Sequence, residues 1–155
     1  MIQLRRLAHA LIVVRDVERS KRFYTELLGF RVLEEDPGHG GVFLGLGPLS
    51  HTIDLFPTTD AGAGGPAKGP PMKGLGVQHL AFAVDSHDAL KDAYFHLKDN
   101  GVDILTAIDH VNQESFYFHD PDENTLEVYW ERPDSLEIFA SGRGDRDDQP
   151  LTFER

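Results

Sequence analysis

Three residues spread along this chain have the chemistry of a metal ligand set: His9, His79 and Glu127. Two neutral imidazoles and one carboxylate suit a divalent first-row metal. They fill one side of its coordination sphere and leave positions open for a substrate or O2. The chain has no cysteine, which excludes disulfides, thiolate catalysis and thiolate zinc sites, and leaves His, Asp and Glu as the strong ligands. A single His at the start of a strand is ordinarily a hydrogen-bonded histidine, and the same holds for a lone Glu in a strand. The combination is what favours ligation. His9 and His79 head two similar segments at an offset of 70 positions, and the acid lies in the last strand. Alternation along a strand puts His9 on a face with Leu11 and Val13, and His79 on one with Ala81 and Ala83. Glu127 shares a face with Thr125, Tyr129 and Glu131, while Leu126, Val128 and Trp130 point the other way. Such groups are costly to desolvate unless paired or ligating.

The elements that must carry these residues repeat. Leu7 to Val14 is apolar and rich in β-branched residues, which predicts a buried strand. Asp16 is a helix N-cap, Phe23, Leu27 and Leu28 recur at helical spacing, and Gly29 ends the helix. Phe30 to Leu33, Val42 to Leu46 and His51 to Phe56 read as strands, punctuated by glycines and Pro48. The second half follows the same order. Val77 to Val84 is a strand, and Asp85 or Ser86 caps a helix with Leu90, Ala93, Tyr94 and Leu97 on one face. Asn100-Gly101 ends it, and Val102 to Ile108, Glu114 to Phe118 and Thr125 to Trp130 are strands. The expected division is a βαβββ module over 1–57, a Pro- and Gly-rich linker or flap over 58–76, a second βαβββ module over 77–132, and a partly disordered extension over 133–155. Within the extension, the charged, Gly-rich stretch from Ser141 to Gln149 is expected to fray.

The bulk numbers set limits. The chain has 155 residues, 40% of them hydrophobic, which is enough for a core. Its net charge of −11 repels phosphate backbones and anionic lipid, so no nucleic acid or membrane partner is expected. No stretch approaches the ~20 apolar residues of a membrane span. Leu7 to Val14 is too short and too interrupted for a secretory signal, so the expected location is cytoplasmic. Exposed strand edges predict a homodimer.

Two groups of residues resemble a known superfamily. Leu7-Ala8-His9, then Asp16-Val17-Glu18-Arg19-Ser20, Phe23-Tyr24 and Leu28-Gly29-Phe30 resemble the opening of a vicinal oxygen chelate module. Val77 to Val84, and Phe116 to Asn124 followed by Leu126-Glu127-Val128-Tyr129, resemble its second half. The Asp120-Pro121-Asp122-Glu123-Asn124 turn, with Glu127 seven residues after its first Asp, is fairly specific to that superfamily. The resemblance covers roughly residues 4 to 132. It implies an α+β fold in which two tandem βαβββ modules form a cupped mixed β-sheet around one metal, with the helices outside. It also puts His9, His79 and Glu127 on the family's ligand positions.

Within the superfamily, Asp109 to Tyr117 resembles the catechol extradiol dioxygenases. These carry a His, then Ser or Thr, then Tyr ahead of the Asp-Pro turn. Tyr117 stands at the family's Tyr position, three residues before Asp120, whereas His110 implies a spacing two residues shorter than usual. His51 begins the fourth strand, where these enzymes place an acid–base or oxygen-steadying His. The implied activity is a non-haem Fe(II) extradiol cleavage of a small catecholic aromatic with O2. In it His51 and His110 serve as acid–base residues and Tyr117 orients the substrate. Asp54 supports an alternative. It falls where glyoxalase I-type lyases and epimerases place a fourth, acidic ligand, and such a site suits Mn2+, Ni2+ or Zn2+. Strict alternation gives His51 and Asp54 opposite faces unless a bulge intervenes. A third expectation is a non-catalytic ligand-binding or resistance protein of the same fold. His119 is expected to be structural. His39, His87 and His96 are expected to face solvent.

Overall fold

The computed structural model describes residues 9–36, 40–48, 51–58, 79–141 and 146–155, without the side chains of His51 and Phe139. The chain forms two compact units, Met1–Gly65 and Pro66–Arg155. Most of the expected linker or flap, together with 37–39 (and so His39) and 142–145, lies outside the described residues.

In the first unit, β1 (Ala10–Val14) leads to Asp16, whose side chain accepts from the Arg19 amide at 2.9 Å and caps α1 (Val17–Arg22). Helical spacing predicts one helix up to Gly29. Its second half is instead a π-helical turn, Phe23–Leu27, with Tyr24 fully buried. Gly29 ends it at φ 73°, a conformation that glycine adopts at no steric cost. Three strands follow: β2 (Arg31–Asp36), β3 (Gly41–Gly45) and β4 (His51–Pro57). Sheet order is β1-β4-β3-β2, with β1 and β4 parallel and the other pairs antiparallel. Ile12, Val14, Tyr24, Phe30, Val42, Leu44, Ile53 and Leu55 are buried. Leu11 and Val13, the alternate residues of β1, are exposed on the face of His9.

The second unit repeats this plan. β5 (Leu80–Ala83) is followed by Ser86, whose hydroxyl accepts from the Ala89 amide at 3.1 Å and caps α2 (His87–Asp99). Leu90 and Leu97 bury the apolar stripe of α2, and Gly101 stops it at φ 78°. Then come β6 (Ile104–Asp109), β7 (Gln113–His119) and β8 (Thr125–Glu131). Together the two mixed sheets and their few helices make an α+β fold of tandem modules.

The extension after Arg132 holds more structure than its composition suggests. It forms α3 (Ser135–Ser141) and a short strand, β9 (Gln149–Pro150), which pairs with β6 and extends the second sheet to β5-β8-β7-β6-β9. The physical reason is that β6 would otherwise leave a row of backbone groups without strand partners, and the end of the chain supplies some. No helix among the described residues is long and apolar enough to cross a membrane.

Candidate metal centre and its hydrogen-bonded chain

Glu127 lies in β8, with Ala81 of parallel β5 on one side and Tyr117 of antiparallel β7 on the other. Facing partners in neighbouring strands share a sheet face, so this register gathers side chains around one carboxylate. Glu127 is 3% exposed. The Tyr117 hydroxyl donates to its Oε1 at 2.9 Å, and Gln113 Nε2 donates to the same oxygen at 3.4 Å. His79 sits two residues before Ala81, and its Nε2 stands 3.0 Å from Glu127 Oε2. The His79 ring also meets the Tyr117 ring edge-on, with centroids 5.5 Å apart.

Beyond Tyr117 the contacts continue to His110, whose Nε2 is 3.1 Å from the Tyr117 hydroxyl. His110 ends the β6 side of a tight hairpin closed by its own amide donating to the Gln113 carbonyl at 2.8 Å. The next residue, Val111, has φ 75°. This left-handed conformation is strained for a β-branched side chain, and glycine ordinarily takes such a place in a two-residue hairpin turn. The Asp109 carboxylate accepts from the Val111 amide at 2.8 Å and holds the turn. The short spacing from His110 to Tyr117 is thus met by a cramped turn, and His110 still reaches the tyrosine. On the other side, His110 Nδ1 lies 2.8 Å from a carboxylate oxygen of Asp148, just before β9.

The Asp-Pro turn fixes the start of β8. Asp120 Oδ1 accepts from the amides of Asp122 and Asn124 at 2.9 and 2.8 Å, and Oδ2 accepts from the Asn124 side chain at 2.8 Å. That set explains why Asp and Asn frame the motif, and it sets the register that carries Glu127. Burial, together with the hydrogen bond to Glu127 and its charge, pushes the Tyr117 phenol up to about 12, with Ser115 pulling the other way.

The first unit builds the matching place. Asp54 in β4 faces Leu11 of parallel β1, just as Glu127 faces Ala81. His9 precedes Leu11 by two residues, as His79 precedes Ala81, and its Nε2 is 3.7 Å from Asp54 Oδ2. Asp54 is 3% exposed, so it lies on no open outer face. The repeat therefore extends from the histidines to their acids. The strict alternation that separates His51 from Asp54 does not hold. Gly45 pairs with His51 and Leu44 with Ile53, so a bulge at Thr52 resets the register. The His51 side chain lies outside the described residues.

Among the described residues, no group of three or more His, Asp or Glu side chains is placed to hold a metal ion. Each unit offers one His–acid pair at this matched register place. The donor chemistry fits a divalent cation, because the 3.0 Å between His79 Nε2 and Glu127 Oε2 is the separation of adjacent ligands at bonding distances of ~2.1 Å. The helix-start His87 does more than face solvent. Its Nε2 is 3.1 Å from Glu114 Oε2, and its ring packs edge-on against Trp130. His119 closes β7 opposite Thr125 and takes no part in the chain of contacts. Strand parity could have pointed to Gln113, which shares its face with Ser115 and Tyr117. Nothing local marks Asp148.

Comparison with known proteins agrees with this geometry. Residues 6–128 match the family model described as the Glyoxalase/Bleomycin resistance protein/Dioxygenase superfamily. The chain is 31% identical over 123 residues to biphenyl-2,3-diol 1,2-dioxygenase 3 of Rhodococcus globerulus, a match covering 79% of this chain and 62% of that longer protein. It is 32% identical over 137 residues to the uncharacterized protein YaeR of Escherichia coli (strain K12), covering 83% of this chain and 98% of the relative. Among solved structures, a glyoxylase/bleomycin resistance protein/dioxygenase domain from Frankia sp. EAN1pec superposes with a TM-score of 0.69 at 27% identity, covering 84% of this chain and all of that one. With its tandem modules, matched His–acid pairs and Asp-Pro turn, the chain belongs to the glyoxalase/bleomycin resistance/dioxygenase superfamily, the vicinal oxygen chelate proteins.

Proposed function

We propose that the chain is a metal-dependent extradiol-type dioxygenase that opens a small catecholic ring with O2, using a divalent metal held by His9, His79 and Glu127. The observation that carries this reading is the run of contacts His110–Tyr117–Glu127–His79. It joins an acid–base side chain, through a phenol, to two of the three donors. A relative that acts on biphenyl-2,3-diol supports the substrate class. When bound, Fe(II) would supply open coordination positions for a vicinal diol and O2 and a path by which the diol's own electrons reach the oxygen. The chain's own residues do the rest. Tyr117 offers its hydroxyl to a substrate oxygen and, as a phenol pushed up to about 12, stays a donor at neutral pH. His110 exchanges a proton at Nε2, and His51 is the second acid–base residue. Exposed Leu11 and Val13, beside His9, provide apolar surface for a ring. We assign the working protein as a homodimer.

The test is metal analysis of protein purified without added ions, followed by assay with catechol and biphenyl-2,3-diol. Iron, with a yellow ring-opened product, is the expected result. His110→Ala should abolish ring opening while metal content stays near normal. Unchanged activity in that variant would remove His110 from the mechanism.

One observation favours a second reading. Asp54 holds the place in its module that Glu127 holds in the other, which favours Asp54 as a fourth, acidic donor. That set suits Ni2+, Zn2+ or Mn2+ and a glyoxalase I-like lyase or isomerase reaction. Nickel or zinc in the purified protein, with turnover of a glutathione hemithioacetal and none of catechols, would establish this reading over the first. Tight binding of an aromatic without metal or turnover would defeat both.

A further inference from the structure

The C-terminal tail is built into the second sheet, and its seating is specific. Asp109 pairs with Gln149 and Ile108 with Pro150, and the Leu151 amide donates to the Ala107 carbonyl at 3.0 Å. Further on, the Phe153 ring packs 4.8 Å from that of Tyr94 on α2. Arg155 pairs with Asp99 and lies over the Phe95 ring at 4.9 Å. The antiparallel register places Asp148 opposite His110, one step beyond the 109–149 pair. The 2.8 Å contact between Asp148 and His110 Nδ1 follows from that register.

A count of protons gives the contact its consequence. Asp148 offers only acceptors, so the Nδ1 that faces it carries a hydrogen. In the neutral ring Nε2 then presents a lone pair to Tyr117. The Tyr117 hydroxyl has one hydrogen and two acceptors within reach, His110 Nε2 at 3.1 Å and Glu127 Oε1 at 2.9 Å. The chain is therefore one proton short, and the vacant place is Nε2. Without Asp148 the ring could turn to the other tautomer. Its Nε2–H would then donate to Tyr117, whose own hydrogen would go to Glu127, and no vacancy would remain.

We infer that Asp148 is a positioning residue. Carried by the tail, it locks the proton of His110 on Nδ1 and keeps Nε2 open to receive a proton from a diol by way of Tyr117. The catalytic half of this inference rests on the dioxygenase reading, whereas the tautomer half stands on the geometry alone.

The test is nitrogen-15 NMR of the histidine rings in metal-free protein in mildly alkaline buffer, with His110 assigned by its loss in His110→Gln. Wild type should show a protonated Nδ1 and a bare Nε2. Asp148→Ala should move the proton to Nε2, and Asp148→Asn, which keeps the shape of the side chain, should show a mixture. With Fe(II) and catechol, Asp148→Asn should lower kcat by about 10²-fold or more while KM changes little. A tautomer unchanged in both variants overturns the inference, even where wild type cleaves catechol. A tautomer that shifts as stated in a protein that opens no catechol upholds the positioning of His110 and defeats the dioxygenase reading instead. Asp148 is half exposed, and β9, Phe153 and Arg155 hold the tail without it, so both variants should fold. An unchanged amide spectrum away from His110 checks this.

Discussion

At the scale of single residues, Tyr117 is the hinge of the candidate site, because its hydroxyl touches both the proposed acid–base histidine, His110, and a proposed ligand, Glu127. Tyr117→Phe deletes that hydroxyl and little else. Metal content should stay near that of wild type, and kcat for catechol should fall by roughly 10²-fold. A second expectation concerns the phenol itself. Its ordinary value is 10.0, and in the folded chain it is pushed up to about 12. Burial and the charges of Glu131 and Glu127 also raise Tyr129, on the same face. Between these two values the unfolded chain has released the Tyr117 proton and the folded chain has kept it. The folded state then binds more protons, so stability falls as pH rises through that window. In metal-free protein, alkaline titration followed by tyrosinate absorbance should show a late step near the top of this range. Tyr117→Phe should lack it. A titration of Tyr117 at the ordinary phenol value would contradict the buried, carboxylate-bonded geometry.

At the scale of elements, the turn between β6 and β7 aims His110, and it does so under strain. Val111 at φ 75° occupies a conformation that costs a β-branched residue ~1–3 kcal/mol, whereas glycine there carries only its entropic cost of ~0.5–1 kcal/mol. Val111→Gly should therefore stabilise the fold by about 1 kcal/mol, raising Tm by roughly 2–4 °C. It should also lower kcat, because the looser turn no longer fixes the ring of His110. A drop in Tm would show that the turn holds no strain. The same turn marks how far local sequence signals reach. The caps Asp16 and Ser86, the stops at Gly29 and Gly101, and the alternation of the strands are local chemistry, and these elements were readable from residue types alone. So were His9 and His79 as candidates, because repetition marks them, and Glu127, because it follows the Asp-Pro turn in the last strand. The π-helical turn after Arg22 and the bulge at Thr52 were not readable, since packing around Tyr24 and the facing strand decide them. Asp148 was hidden for a related reason. Its partner lies 38 positions away, and only the register of β9 on β6 brings the two together. A charged tail carries no periodicity from which that register could be read.

At the scale of the whole molecule, the proposed donors are divided between two units. His9 and Asp54 belong to one, and His79 and Glu127 to the other, each pair at the same register place. Two donors alone hold a first-row cation weakly, so under the proposed assignment each of the three donors should be needed for binding. Whatever binds only the folded state stabilises it. A cation present at about 100 times its Kd contributes ~2.7 kcal/mol. For a chain of this length that amounts to roughly 5–10 °C in Tm. Fe(II) under anaerobic conditions, or Mn(II), added to metal-free protein should raise the melting midpoint by about that much, and a chelator should reverse the rise. His9→Ala, His79→Ala and Glu127→Ala should each abolish it. Asp54→Asn separates the two functional readings. The rise persists in that variant where three donors suffice, and it fails where the second carboxylate is a ligand. A full rise in His9→Ala would mean that His9 is no ligand, and the three-donor assignment would have to be abandoned.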